Sequence, residues 1–291
     1  MKGIILAGGT GSRLYPSTLV SNKHLLPVYD KPMIYYPLAT LMLAGIREIL
    51  IITNEQFLDD YQSFLGNGHQ WGIEISYEKQ NNPRGIAESF IIGESFIGQD
   101  NVCLILGDNI FQGSGLQEQL NKAQNQTDGA NLFAYYVDIP KEYGIVAFDD
   151  KLQAHSIEEK PQSPKSNYAV TGLYFYDNHV IDIAKSIKPS TRGELEITDV
   201  NRAYLENSQL HVNLLGRGFV WLDMGTPDSL LAASNYIQVI EKRQGLKISC
   251  VEEIAWRMKF IDDEQFLSLA SKLKKTAYGQ YLMSLIHHEF I

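Results

Sequence analysis

The sequence predicts an α/β fold: a mixed, largely parallel central sheet up to about residue 230, then a helical C-terminal segment. Three observations predict it. Over the first 110 residues short apolar runs alternate with segments of helical length. The middle of the chain is richer in Tyr, Val and Phe, and from Pro227 the pattern turns helical and stays so. Alternating strands and helices imply βαβ units and a parallel sheet covered on both faces.

Residues 3–6 are a short apolar run that ends at Gly8 and read as the first strand. Residues 33–44 have helical length, with Pro32 before them and Gly45 after them as start and stop signals. Residues 48–52, 73–77 and 102–106 read as strands, and residues 56–65 and 86–92 as helices. In the middle, residues 132–137, 144–148, 168–176, 211–215 and 219–222 read as strands, interrupted by helices at 180–185 and 196–206. Thr226 is a fitting N-cap, with Pro227 at the first helical position. The division expected is one α/β domain over 1–230, with halves of about 1–110 and 111–230. The helical segment at 231–291 is suited to an interface.

Composition narrows the function. The 25 basic and 34 acidic residues give a net charge of −9, which argues against nucleic acid as the main partner. A phosphate ligand remains open, because a few local cations decide a pocket. Cys103 lies in an apolar run far from Cys250, so a buried thiol in a reducing compartment is expected rather than a disulfide. The first apolar run breaks too early for a secretory signal, and no stretch has the length of a membrane span. A cytoplasmic setting without a membrane partner is therefore expected.

The glycines Gly8, Gly9 and Gly11 lie just after the first strand, followed by Arg13 and then Lys23. Backbone N–H groups in such a turn form an anion cradle; an Arg adds a phosphate fork and a Lys a point charge. No Lys-Ser or Lys-Thr follows, so this is not a P-loop, and Leu14 stands where the dinucleotide fingerprint needs its third glycine. The competing reading is a tight turn with two surface cations. Asp108 follows a buried strand and Asp223 precedes a capped helix; together they suit a Mg²⁺ ion that also takes phosphate oxygens. Each alone is equally a turn or helix-entry aspartate. Glu158-Glu159-Lys160-Pro161 is either a solvated charge run or a set of sugar and phosphate ligands. Arg192, in Thr191-Arg-Gly-Glu194, either opens an acidic helix turn or adds a phosphate contact. His155, His179, His211, His287 and His288 have no metal-ligand spacing, and no nucleophile triad is evident.

At these residues the chain resembles the sugar-phosphate nucleotidylyltransferase family. Leu6-Ala-Gly-Gly-Thr-Gly-Ser-Arg-Leu14 with Pro16, Lys23 and Leu25-Leu-Pro27 matches the family's signature. Asp30-Lys-Pro-Met-Ile-Tyr-Tyr-Pro37, Leu106-Gly-Asp-Asn109, Glu158-Glu-Lys-Pro161, Arg192-Gly-Glu-Leu-Glu-Ile-Thr-Asp199 and Trp221-Leu-Asp223 extend the likeness along the whole chain. These runs are most similar to the branch that works on dTTP and glucose 1-phosphate.

The resemblance implies a Rossmann-like nucleotidyltransferase fold, Mg²⁺ dependence, a homotetramer and feedback by a dTDP-sugar at a second site. It implies dTDP-glucose and pyrophosphate as products, at the first step of dTDP-sugar synthesis such as that of dTDP-rhamnose. Carried over by position, Gly8, Gly9, Gly11 and Arg13 would hold the triphosphate, with Lys23 and His24 beside it. Gln80 and Gly85 would read the base, and Asp108 and Asp223 would hold the metal. Tyr143, Gly144, Glu159 and Val170 would line the sugar pocket, and Lys160 and Arg192 would bind the sugar phosphate. The chemistry would fall to Arg13, Lys23, Asp108 and Asp223. The chain departs from the family's pattern at His24 and Glu88, where Gln is usual, and at Arg84, where Asp is common. All three lie in or near the nucleotide segments and bear on base selectivity. The amide of Gln80 suits the N3–H and carbonyls shared by thymine and uracil. A UTP-using enzyme is thus the nearest rival, and a non-catalytic nucleotide-sugar binder a more distant one.

Overall fold

The computed structural model describes residues 1–286; His287 and His288 lie outside the described residues. In chain order the first elements are β1 (Lys2–Ala7), a small hairpin of β2 (Pro27–Val28) and β3 (Lys31–Pro32), α1 (Tyr35–Leu43), β4 (Glu48–Thr53), α2 (Leu58–Leu65), β5 (Glu74–Lys79), α3 (Glu88–Ile92), α4 (Glu94–Ile97) and β6 (Val102–Leu106). Next come β7 (Asn109–Gln112), α5 (Leu116–Asn125), β8 (Ala130–Tyr136), β9 (Gly144–Phe148), β10 (Ala154–Glu159) and β11 (Tyr168–Tyr176). The chain continues with α6 (Val180–Ser186), α7 (Ile197–Glu206), β12 (Leu210–Leu215), β13 (Val220–Asp223), α8 (Pro227–Gln244), α9 (Val251–Arg257), α10 (Asp263–Lys272) and α11 (Ala277–Leu285).

The central sheet runs β10–β9–β11–β6–β1–β4–β5, and β8 joins β11 to β12. Strands β6, β1, β4 and β5 are mutually parallel, whereas β11 is antiparallel to β6 and turns the sheet mixed. Strands β4 and β6, and β1 beyond Lys2, carry apolar runs because both faces are covered, whereas β5 at the sheet edge carries Glu74, Glu78 and Lys79. Ile5 and Ile51 point into a core with Leu38 and Met42 of α1, Phe266 of α10 and Leu282 of α11. Ile4 and Ile52 point into the opposite core with Phe90, Val180 and Val200 of α3, α6 and α7. The C-terminal helices therefore share a core with α1.

Several elements differ from their sequence reading. Pro32 belongs to β3, so α1 starts at Tyr35; Pro37 sits in its first turn, where an N–H would have no intrahelical partner. The sequence reading did not foresee β2, β3, α4, β7, α5 or β10. Strand β13 is not part of the central sheet: it pairs with β7 in an antiparallel ribbon that sets Asp223 opposite Asn109. The start of α8 is as read, with Thr226 and Ser229 forming a reciprocal capping box. Cys103 and Cys250 are free and buried, and burial pushes both thiols up. Among the described residues no helix is long and apolar enough to cross a membrane.

Candidate active site

In an open α/β sheet ligands bind beyond the carboxyl ends of the parallel strands. Here β1 delivers Gly8, β5 leads into Gln80, and β6 leads into Asp108. They open on a cavity of about 400 Å³ that reaches across to Tyr143, Glu159, Lys160, Arg192 and Asp223. An adjoining cavity of about 280 Å³ shares Gly8, Gly9, Arg13, His24 and Asp108 and adds Gly11 and Lys23. Gly85, Gly144 and Val170 also line the larger one. Every site residue named from the sequence thus lines one or both.

The glycine loop is shaped by contact as well as by freedom. A Cβ on Gly8 would fall 2.3 Å from Oε1 of Gln80, so only glycine admits that amide. Gly11 is left-handed, with φ +61°, and its carbonyl accepts from Thr18 Oγ1 at 2.8 Å. The Arg13 guanidinium packs against Gly225; among the described residues it makes no hydrogen bond or ion pair, which leaves its donors for a ligand.

Lys23 Nζ forms a direct ion pair with Asp108. The other Asp108 oxygen accepts from Asn109 Nδ2 at 2.8 Å. Asn109 Oδ1 in turn accepts from Trp221 Nε1 at 2.6 Å and from the Gly172 N–H at 3.1 Å. The buried Asn109 therefore fixes Asp108 and ties it to the strand that ends in Asp223. Burial alone would push the Asp108 carboxyl up, but Lys23, the neighbouring His24 and Asn109 outweigh it and hold it below the usual range. Asp223 goes the other way: burial and the Asp108 charge push it up to about 6, against the pull of Lys23, Arg13 and Lys160.

This pair fits a divalent metal. Two carboxylates face one region, and one of them, Asp223, is raised by burial first and by the charge of the other second. Oxygen donors suit a hard cation that draws its remaining ligands from phosphates and water. Among the described residues no group of three or more His, Cys, Asp or Glu side chains converges on a metal position.

On the far wall, Arg192 binds Glu196 at 2.8 Å, Glu159 at 3.3 Å and Glu194 at 3.4 Å. Glu159 also accepts from Thr198 Oγ1 at 2.6 Å. Lys160 has φ +42°, rare for a residue with a side chain, and its N–H donates to the Tyr143 carbonyl at 3.0 Å. That backbone turns the chain at the end of β10 and carries Lys160 to the cavity edge.

Two of the three departures from the family pattern are each other's partners. Arg84 Nη2 lies 2.6 Å from Glu88 Oε1, and Glu88 Oε2 accepts from Gln80 Nε2 at 2.8 Å. The third, His24, is buried with its ring against Gly107. Its Nδ1 lies 2.9 Å from Asn22 Oδ1; an amide oxygen only accepts, so Nδ1 carries the hydrogen. Burial, helped by Lys23 and opposed by Asp108, lowers the imidazole to about 4, so it is neutral at physiological pH. The sequence reading missed the roles of Asn109, Trp221, Glu196 and Thr198. All but Glu196's neighbour Thr198 and Glu196 itself lie in the ribbon, and the only hint was their place inside the matching runs.

A family model described as nucleotidyl transferase matches residues 2–239. Glucose-1-phosphate thymidylyltransferase of Neisseria meningitidis is 57% identical over 286 residues, covering 98% of this chain and 99% of that protein. The Mycobacterium tuberculosis protein of the same name is 55% identical over 98% of this chain and 99% of its own length. A solved chain from Bacillus anthracis, assigned to the same activity, superposes with a TM-score of 0.75 at 45% identity, covering 81% of this chain and 94% of that one. A UDP-glucose pyrophosphorylase superposes at 0.72 with 24% identity, covering 82% and 98%, and shares the fold.

Proposed function

Because the chain belongs to the nucleotidyl transferase family, we propose that it transfers the thymidylyl group of dTTP to glucose 1-phosphate, giving dTDP-glucose and pyrophosphate. The observation that carries this reading is the convergence of the glycine loop, Lys23–Asp108, Asp223 and the Arg192–Glu159 wall on two adjoining cavities that share Gly8, Gly9, Arg13, His24 and Asp108. The high identity to thymidylyltransferases over nearly the full length supports the choice of nucleotide.

The reaction reads as one in-line displacement: a phosphate oxygen of glucose 1-phosphate attacks the α-phosphorus of dTTP, and pyrophosphate leaves. A phosphate monoester has a second pKa of about 6, so the nucleophile is already largely ionised at neutral pH and needs no general base. The chain's task is then positioning and charge neutralisation. Arg13, with its free donors, would clamp the triphosphate, and Lys23 would stand beside the reacting phosphate. Lys160 and Arg192 would orient the sugar phosphate, while Glu159 would accept from sugar hydroxyls. Asp108 and Asp223 would hold Mg²⁺, which when bound offsets charge on the phosphates and the leaving group.

We place the enzyme, on the same reasoning, in the cytoplasm as a homotetramer; Leu231 and Val239, exposed along α8, are apolar positions that such an assembly would cover. The deciding experiment is pyrophosphate release over a panel of dTTP, UTP and dCTP with several sugar 1-phosphates. Equal or faster turnover with UTP would replace the thymidylyl reading with a uridylyl one, and no release with any pair would leave a binding protein.

A further inference from the structure

We propose that Glu88, steadied by Arg84, fixes the Gln80 amide so that its carbonyl oxygen faces the incoming base, making Glu88 a positioning residue that selects bases with a hydrogen on ring N3. The proposal rests on the reading of Gln80 as a base contact.

Gln80 is buried just beyond β5, and its backbone N–H donates to the Thr53 carbonyl at 2.8 Å. Its side chain meets Glu88 Oε2 at 2.8 Å. A carboxylate only accepts, so the amide atom at that contact is Nε2 and the orientation is not a free choice. Glu88 is itself buried in the first turn of α3. It is held by the Arg84 backbone N–H at 3.2 Å, by Arg84 Nε at 2.7 Å and by Nη2 at 2.6 Å. With Nε2 committed, Oε1 turns toward Gly8, whose missing Cβ leaves it room. Among the described residues no donor reaches Oε1, so an acceptor is left for the cavity that Gln80 lines.

Thymine and uracil carry a hydrogen on N3 and can donate to that oxygen. Cytosine carries a lone pair on N3, and two acceptors would then face each other in a desolvated site. Without an acceptor at position 88, the terminal amide torsion is free to turn over. The NH₂ group would then reach the cavity, and cytosine would be accepted.

The test measures kcat/KM for dTTP and for dCTP at saturating glucose 1-phosphate, in the wild type, Glu88→Met, Glu88→Gln and Gln80→Leu. Glu88→Met is expected to narrow the dTTP preference by about tenfold or more, through KM for dTTP, with kcat held within about threefold. Glu88→Gln keeps one acceptor oxygen and should recover part of the preference. An unchanged ratio in Glu88→Met beside a changed ratio in Gln80→Leu overturns the role of Glu88 and leaves the base contact standing. Unchanged ratios in both remove the base contact itself. A wild type that uses dCTP as well as dTTP overturns the proposal directly. Should circular dichroism show Glu88→Met unfolded, Arg84→Met decides, since it leaves Glu88 without its guanidinium partner: a narrowed ratio supports the proposal and an unchanged one overturns it.

Discussion

The Leu195 carbonyl oxygen stands 2.3 Å from the point that a Cβ on Gly85 would occupy, so two segments of the cavity wall touch through bare backbone. The Leu195 N–H donates to the Arg84 carbonyl at 2.6 Å, and the Leu195 carbonyl accepts from the Ala87 N–H at 3.2 Å. Gly85 also has φ +105°, which a side chain rarely adopts. Gly85→Ala must therefore displace the segment that bears Arg192. We expect KM to rise by about tenfold or more for glucose 1-phosphate as well as for dTTP. Initial-rate kinetics with each substrate varied in turn check this; an unaltered KM for glucose 1-phosphate contradicts the link.

Asp108→Asn keeps the shape of the side chain and removes its charge. Turnover is expected to fall on the order of 10²–10³, comparable to the loss of an oxyanion donor. The fold should survive. Because Asp108 is one cause of the raised Asp223 carboxyl, Asp223 should titrate below about 6 in the variant, followed by carboxyl NMR. Near-normal turnover would sink the metal assignment.

Asn109→Asp exchanges the donor facing Asp108 for an acceptor while still accepting from Trp221 and Gly172. The new repulsion should raise the Asp108 carboxyl and depress kcat, with KM for glucose 1-phosphate little altered. Asn109→Ala should instead destabilise the fold, since it orphans buried groups at roughly 1–3 kcal/mol each. Thermal melts and kinetics on the two variants separate the positioning role from the structural one.

His24 makes stability depend on pH. The folded imidazole titrates at about 4 against 6.5 when unperturbed. Between those values the unfolded chain binds a proton that the folded chain refuses. Stability is therefore whole above about 6.5 and falls as the pH drops toward 4, by up to roughly 3 kcal/mol from this group. Urea denaturation at pH 7.5 and pH 5 measures the slope, and His24→Gln should flatten part of it. An identical slope in that variant would assign the effect to other groups.

Lys160 offers a paired comparison. Both Lys160→Ala and Lys160→Gly remove the charge, and both should weaken glucose 1-phosphate binding alike. Only glycine accepts φ +42° without strain, so Lys160→Gly should be the more stable by about 1 kcal/mol. Equal melting temperatures would mean that the turn relaxes in the alanine variant.

The sequence disclosed what its local pattern could carry. Strands β6, β9 and β11 have the boundaries read from their apolar or aromatic runs, because each is buried and ends at a turn signal. Strand β10 was hidden because Glu158 and Glu159 make an edge strand look like a solvated charge run. Strand β7 was hidden because it is short and pairs only with β13, far along the chain. The same limit applies to the site. Arg13, Lys23 and Asp108 stand in recognisable runs, whereas the use of Asn109 depends on Trp221 and Gly172 meeting it in space. Arg84 and Glu88 looked like two separate departures until their side chains were seen to pair.

The ribbon of β7 and β13 also sets an order of events. Synthesis from the N-terminus supplies the glycine loop, Lys23 and Asp108 well before Asp223 is made. A partly made chain would lack the second carboxylate, which arrives only when a late strand closes a non-local pairing, the slow kind of folding step. On the reading of Asp223 as the second metal ligand, full turnover therefore waits on the finished tertiary structure.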